Sequence, residues 1–475
     1  MDLPVNLQSA TQSRHQPEDG LPIPRRYWSA AGIWLALAMA VLDGAIANVA
    51  LPVIARELGA SPAASVWVIN AYQLTITILL LPLAALGDRV GYKCIYIPGL
   101  ALFAIGSVGC AASGTLSLLI AARVLQGVGA ACIMSMNAAL VRATYPSKML
   151  GRGIGYNAMV LSMSAAIGPT LAALILSVAS WQWLFLINLP IGIAAILVGR
   201  KSLPDPHGHG NPFDWPSAAL GAAMMGFIVF GAETFARASS AAAFAMVAAG
   251  IAAGAALVWH ERGKPNPLMP IDLLRIPIFT LSITASIVSF AAQMLAYVVI
   301  PFLFQSVLGK TVFATGLLMT PWPIAVGIAA PFAGRLADRM SAGLLGGIGL
   351  AIFAAGLFLL SRLGASPDDF QIAWRMAVCG LGFGLFQSPN NRTIVSAAPK
   401  PRSGAAGGML ATARLLGQTA GAVTVGVAFH LAGVRVTPNL LLAASIAALA
   451  AAGISLLRMG VTPPSRVAVY RPILD

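Results

Sequence analysis

Long apolar runs recur along the chain, separated by short polar breaks. They lie near residues 28–51, 64–86, 94–113, 116–141, 153–178 and 181–199, then near 215–236 and 240–260, and finally near 278–304, 313–333, 342–362, 371–391, 404–432 and 437–458. A helix needs roughly 20 apolar residues to cross a bilayer, so the pattern predicts about fourteen spans. In lipid each span must satisfy its own backbone hydrogen bonds, which favours helices. Barrel strands would instead alternate apolar and polar residues over short segments. The expectation is an all-α integral membrane protein, with a six-helix bundle over 28–199, an inserted helix pair over 215–262 and a second six-helix bundle within 263–458. Tails at 1–27 and 459–475 and a Pro-, Gly- and His-containing linker at 200–214 complete the layout.

Composition supports lipid as the solvent. The 475 residues are 58% hydrophobic and only 9% charged, with a mean hydropathy of +0.83. Soluble domains carry about 25% charged residues. The net charge of +14 does not point to nucleic acid, because the basic residues are spread thinly rather than gathered in a patch. Their distribution instead sets orientation. With both termini on one side, twenty-one of the 29 Lys and Arg fall on that side, six fall on the other, and Arg123 and Arg414 fall inside spans. By the positive-inside rule the chain is expected in the cytoplasmic (inner) membrane with both termini cytoplasmic. The four cysteines, Cys94, Cys110, Cys132 and Cys379, show no metal spacing, and no cofactor is expected. Residues 1–26 are polar and do not read as a cleavable signal peptide.

Two loops in corresponding places carry related residues. After the second span the chain reads Leu86-Gly87-Asp88-Arg89-Val90-Gly91-Tyr92-Lys93, and after the tenth Gly334-Arg335-Leu336-Ala337-Asp338-Arg339-Met340. An Asp at a helix end can latch two parts of a bundle through an Arg and a neighbouring helix N-terminus. A solvated loop that merely sets topology is the alternative, and the repeat in both halves favours the latch.

These residues resemble the loop motif of the major facilitator superfamily. Further stretches are similar to the fourteen-span drug:proton antiporter family within it: Leu42-Asp43-Gly44 through Asn48 to Pro52 in the first span, Arg123-Val124-Leu125-Gln126-Gly127 in the fourth, Gly168-Pro169-Thr170 in the fifth, and Trp181 to Pro190 opening the sixth. Ala84, Tyr92, Ala172-Ala173 and Gln182 depart from the family's usual residues. The resemblance implies the major facilitator fold and, through the fifth-span antiporter motif with Gly168 and Pro169, an exporter.

Ionisable groups within spans are costly and usually functional. Asp43 is the only acid placed well inside a predicted span, and Arg123 enters from the opposite side to a similar depth, counted at about 1.5 Å per residue. The two are expected to approach, directly or through Gln126, as a proton-coupling or substrate-contact site. A static ion pair, or a packing network with Gln126 and Asn188, is the competing reading. Asn48, Gln73, Gln293 and Arg414 are candidate cavity groups, and Trp67, Tyr72 and Trp322 candidate aromatic walls for flat cations.

The function expected from these features is proton-coupled efflux of lipophilic, often cationic, toxic compounds by alternating access, with protons and a small molecule as partners in the bilayer. A metabolite or siderophore exporter of the same fold is the alternative, and a periplasmic adaptor with an outer-membrane channel is a candidate partner. No phosphate-binding loop is present to bind ATP. The five histidines form no catalytic cluster, so neither an enzyme nor a non-transporting receptor is favoured.

Overall fold

The computed structural model describes residues 20–460, except 147–148, 205–213, 238–240, 263, 265–270, 338, 365 and 399–402. Helices occupy each of the fourteen places predicted from hydropathy. In the first half these are α1 (Arg25–Glu57), α2 (Trp67–Val90), α3 (Tyr92–Ala111), α4 (Leu116–Thr144), α5 (Leu150–Val178) and α6 (Asn188–Ser202). The inserted pair is α7 (Trp215–Arg237) and α8 (Ala241–Glu261). The second half contains α9 (Pro277–Phe302), α10 (Pro321–Leu336), α11 (Ala342–Ser361), α12 (Asp369–Ala397), α13 (Ser403–Ala432) and α14 (Thr437–Leu457). Short helical turns at Pro62–Ser65, Trp183–Leu186 and Val312–Met319 lead into α2, α6 and α10. Among the described residues there is no strand.

Among the described residues, twelve of these segments are long and apolar enough to cross a membrane. In α7 the stretch Trp215–Gly231 is apolar as well, whereas α12 interrupts its apolar face with Arg375, Gln387, Asn390, Asn391 and Arg392.

Sequence sets the helix boundaries locally. Ser61, Thr115, Thr311, Ser341 and Asp368 each accept a hydrogen bond from a backbone N–H in the following first turn, which satisfies a donor the helix cannot. Gly91, at φ +97°, separates α2 from α3 in a conformation that other residues rarely adopt.

The helix pairing repeats between halves. In the first, α1 packs on α5 and α6, α4 on α2 and α3, and α3 on α6; in the second, α9 packs on α13 and α14, α12 on α10 and α11, and α11 on α14. The inserted α7 and α8 pack on each other, with α7 also against α2 and α13. At the end of this pair nearest the termini, Asp214 accepts from Lys264 (2.5 Å), from the Ser217 hydroxyl (2.6 Å) and faces His260 Nε2 at 3.3 Å. Partial burial raises the Asp214 carboxyl, but these hydrogen bonds outweigh it and hold the group well below the usual carboxylate range.

The hydrophobic core is not evenly distributed. Toward the end remote from the termini, one cluster runs through both halves, joining Val49, Leu51, Ile54 and Trp181 to Phe302, Phe304, Leu318 and Trp322. Toward the end that carries the termini there are two clusters: Ile33, Tyr96, Leu100 and Leu140 belong to one, which takes only Leu415 from the second half, and Phe279, Ile283, Ile394 and Met409 to another. The halves therefore share one continuous core at one end and are parted at the other except along α2 and α13. The join is tight. A methyl group placed on Gly316 would lie 2.3 Å from the Ala173 Cβ and 2.5 Å from the Pro169 carbonyl oxygen, and Gln305 donates to the Val49 carbonyl at 3.1 Å.

Candidate functional site

Asp43 lies in the middle of α1 and is 1% exposed. Its oxygens are fully engaged. Oδ2 takes a short hydrogen bond from Arg123 Nη1 of α4, and Oδ1 accepts from Gln126 Nε2 (2.8 Å) and from Asn188 Nδ2 of α6 (2.8 Å). Arg123 also donates to Gln126 Oε1 at 2.7 Å and, through Nε, to the Val68 carbonyl of α2 at 3.0 Å. Gln126 Nε2 reaches the Ser107 hydroxyl of α3 at 2.8 Å. One knot of buried polar groups thus ties together α1, α2, α3, α4 and α6.

Local sequence explains the arrangement. Arg123 and Gln126 are three residues apart and share a helix face. Gly106 leaves room for Gln126, because a methyl group there would lie 2.7 Å from the Gln126 backbone. The guanidinium carbon of Arg123 sits 4.0 Å from the Tyr72 ring centroid and 5.6 Å from that of Phe185, so aromatic faces cover the side that hydrogen bonds leave open. An ion pair withdrawn from water needs such hydrogen bonding to be stable, and here only Arg123 Nη2 is buried without an acceptor.

The predicted approach of Asp43, Arg123 and Gln126 is thus observed as direct contact, with Asn188 in the same network. Ser107 is the member that sequence reading missed; a lone Ser in an apolar run gives no signal of its own.

Between the halves lies a cavity of about 150 Å³, lined among others by Asn48, Tyr72, Gln73, Gln293, Tyr297, Arg414 and Gln418. A second, of about 80 Å³, adjoins it and shares Ala165, Gln293, Tyr297 and Arg414, adding Phe290, Phe383 and Gln387. Asn48, Tyr72, Gln73, Gln293 and Arg414 are therefore where the sequence expected cavity groups. Tyr297, Gln387 and Gln418 were missed, although polar residues inside apolar runs were the available signal. Asp43 does not line this space; Ala40, Val41, Gly44, Ala45 and Asn48 of its helix do. Tyr72 touches both regions, with its ring against Arg123 and its edge on the cavity.

Two expected aromatic walls lie elsewhere. Trp67 stacks on Phe230 of the inserted α7 at 5.4 Å, away from the central cavity, because the pair docks against α2. Trp322 is fully buried between Tyr297 and Phe353 in the second half's aromatic core.

The loop residues are resolved into different roles. Gly87 packs α2 tightly on α4, where a methyl group would meet the Met136 sulfur at 2.3 Å. Asp88 is exposed and accepts from the Tyr92 hydroxyl of its own loop at 2.8 Å, while Arg89 is exposed and Lys93 half-buried. In the second half Gly334 faces Ser388 and Arg339 is exposed, whereas Asp338 lies outside the described residues. Gly168 meets Ala45 of α1, where an added methyl would come within 2.5 Å, and Pro169 lies inside α5 with its carbonyl against Gly316.

One further site escaped sequence reading. Arg458, counted among the loop cations, is 4% exposed and folds back into the second half. It donates to Asn390 Oδ1 (2.6 Å), Ser282 Oγ (3.1 Å), the Ser455 carbonyl (3.2 Å) and the Ala342 carbonyl (3.4 Å).

Among the described residues no group of three or more His, Cys, Asp or Glu side chains could hold a metal ion. The geometry is that of a multi-pass membrane protein with a polar cavity between two related bundles. Comparison with known proteins agrees. The sequence signature of the Major Facilitator Superfamily matches residues 33–422 and 281–470. The chain is 51% identical to the uncharacterized transporter YebQ of Escherichia coli over 93% of its own length and 97% of that protein. It is 31% identical to the multidrug resistance protein Stp of Mycobacterium tuberculosis, covering 82% of this chain and 74% of that one, and 30% identical to the riboflavin transporter RibZ of Clostridioides difficile, covering 81% and 84%. The fold matches a bacterial homologue of the human lysosomal transporter Spinster with a TM-score of 0.65 at 14% identity, over 92% of this chain and 98% of that one. The chain is a transporter of the Major Facilitator Superfamily.

Proposed function

We propose that the protein exports lipophilic toxic compounds across the cytoplasmic membrane in exchange for protons, with both termini cytoplasmic and all fourteen long helices spanning. The two bundles rock about the central cavity, so that the end now parted is the cytoplasmic entrance. The exposed Asp88 then belongs to a latch that engages when this entrance closes. Multidrug resistance and efflux proteins among the relatives support the direction and the substrate breadth.

One observation carries the coupling step: a carboxylate buried in the spanning region, held by Arg123, Gln126 and Asn188, with Tyr72 between it and the cavity. A proton delivered to Asp43 neutralises the acceptor and releases Arg123, which can then move against Tyr72 and change the cavity wall. A buried pair has two discrete states, engaged and protonated, and that is what an alternating-access cycle needs. The three donors that hold the Asp43 carboxylate favour a second reading, in which the knot only clamps the first bundle.

Expression in a drug-sensitive host that lacks its own pumps separates the two. The wild type should lower the toxicity of several compounds in a panel, and Asp43→Asn should abolish that protection at equal membrane abundance. In proteoliposomes the same variant should lose proton-driven flux while retaining solute–solute exchange. Undiminished proton-driven transport by Asp43→Asn would leave only the clamp.

A further inference from the structure

Among the described residues four arginines have nitrogens withdrawn into the helical interior, and they are treated differently: Arg375, six residues from the start of α12, keeps Nε and Nη1 unpartnered beside the Trp374 ring at 5.4 Å. Arg123 has a carboxylate. Arg458 has no acid but is surrounded by neutral oxygens of Asn390, Ser282, Ser455 and Ala342. Arg414, in α13, makes no hydrogen bond or ion pair with any described residue; its Nε is buried without a partner, and its nearest charge-compensating contact is the Phe290 ring, 5.8 Å from the guanidinium carbon. Its remaining N–H groups belong to the wall shared by the two cavities between the bundles.

A cation held in low dielectric with no acceptor is costly. The bilayer interior offers ways to relieve that cost, yet Arg414 uses none of them: it sits far from the helix ends, and no acid lines either cavity. Asp43 is closed off by its three donors. Around Arg414 the polar groups that can turn a donor inward are the amides of Gln293, Gln387 and Gln418 and the phenol of Tyr297, and the remaining wall is apolar, with Phe290 and Phe383 prominent.

The geometry points to Arg414 as the recognition group for a negatively charged substrate: an organic acid with one carboxylate or comparable anionic group and an apolar, aromatic body. This rests on the reading that the space between the bundles is the transport site, and it replaces the cationic preference expected from the sequence. A guanidinium presents paired N–H donors to a carboxylate, and charge-assisted bonds of this kind are the strong ones. Binding supplies the acceptor that the fold withholds, while Phe290 and Phe383 take the apolar body. The phosphate of an anionic lipid presents related chemistry, and the test separates the two sources.

The experiment uses the purified full-length protein and three probes built on one ring system: 2-naphthoate, 2-naphthamide and 2-naphthylmethylammonium. Equilibrium binding in nanodiscs of phosphatidylcholine alone should place the acid at least about tenfold tighter than the amide, with the ammonium compound weakest. Arg414→Gln should bring acid and amide to equal affinity, and Arg414→Lys should keep part of the difference. Unliganded Arg414→Gln should melt no lower than the wild type, since no native partner is lost. A group needed only for folding would lower the melting temperature instead. In nanodiscs containing phosphatidylglycerol, naphthoate should still bind. Competition by that lipid, abolished in Arg414→Gln, would assign the occupant to lipid and overturn the substrate assignment. Binding of the amine as tight as the acid, acid preference surviving in Arg414→Gln, or no binding of any probe would also overturn it. Because equilibrium binding needs no proton gradient, charge selectivity and Asp43-dependent flux can fail independently.

Discussion

At Gly129 and Gly382 the two bundles pack in the same way. A methyl group on Gly129 would lie 2.4 Å from the Phe103 amide nitrogen and 2.6 Å from the Gly99 carbonyl oxygen; on Gly382 it would lie 2.3 Å from the Phe353 nitrogen and 2.6 Å from the Gly349 oxygen. Three residues before each glycine the agreement ends. The first bundle has Gln126 and the second Cys379, and Gly106 and Gly356 leave room for them in turn. Three residues earlier again stand Arg123 and Met376, both fully buried. One scaffold therefore encloses an ionic knot in the first half and an aromatic core of Trp322, Phe353 and Phe383 in the second. Backbone packing at these glycines does not require the charges, because the second half has none at the matching positions. Their presence in the first half calls for a reason other than holding helices together.

The largest effect on stability should come from breaking the knot on one side only. Asp43→Ala leaves Arg123 buried with Gln126 Oε1 and the Val68 carbonyl as its acceptors. Removing one partner of a buried pair costs about 3–5 kcal/mol. Thermal denaturation of the purified protein should show a clear fall in midpoint, whereas Met376→Leu, at the place in the second half that matches Arg123, should change it little. Equal effects at the two positions would remove the contrast between the bundles.

Next in size is the pair that tests likeness rather than difference. Gly129→Ala and Gly382→Ala each push a methyl group into the backbone of a neighbouring helix, and overpacking of this kind costs about 1–3 kcal/mol. The two losses should match within the error of a melting experiment. A much smaller loss at either glycine would show that the bundles share topology but not packing.

Part of this picture was legible in the sequence. Asp43 and Arg123 stood out as charges in apolar runs, counting residues from opposite ends put them at one depth, and Gln126 followed from its spacing to Arg123. Other features depend on how each helix is rotated, which near-uniform apolarity leaves undetermined. Nothing in the run around Leu42-Asp43-Gly44 says that Asp43 turns from the cavity while Gly44 faces it. Arg414 was recognised as an interior cation, but its lack of a partner is a fact about neighbouring helices. Arg458 follows the last apolar run and reads as one more loop charge until Asn390 and Ser282 enclose it. The sequence offers Trp67 as a cavity wall, and only the structure shows its contact with Phe230, far away along the chain.

The smallest effect on stability should come from the most drastic rewriting. Asp43→Leu, Arg123→Met and Gln126→Cys together give the first bundle the residues of the second at two positions and remove the acid that would otherwise be unpaired. Ser107 and Asn188 keep each other, at 3.4 Å. Replacing a complete buried ionic group with apolar side chains is often neutral or stabilising, so the melting temperature should stay within a few degrees of the wild type. Proton-driven flux should vanish all the same. A stable but inactive triple variant, set beside the unstable Asp43→Ala, would show that the knot is retained for coupling rather than for cohesion. A triple variant that melts as low as Asp43→Ala would instead mean that the first bundle depends on its charges in a way the second does not, and the clamp reading would then account for Asp43.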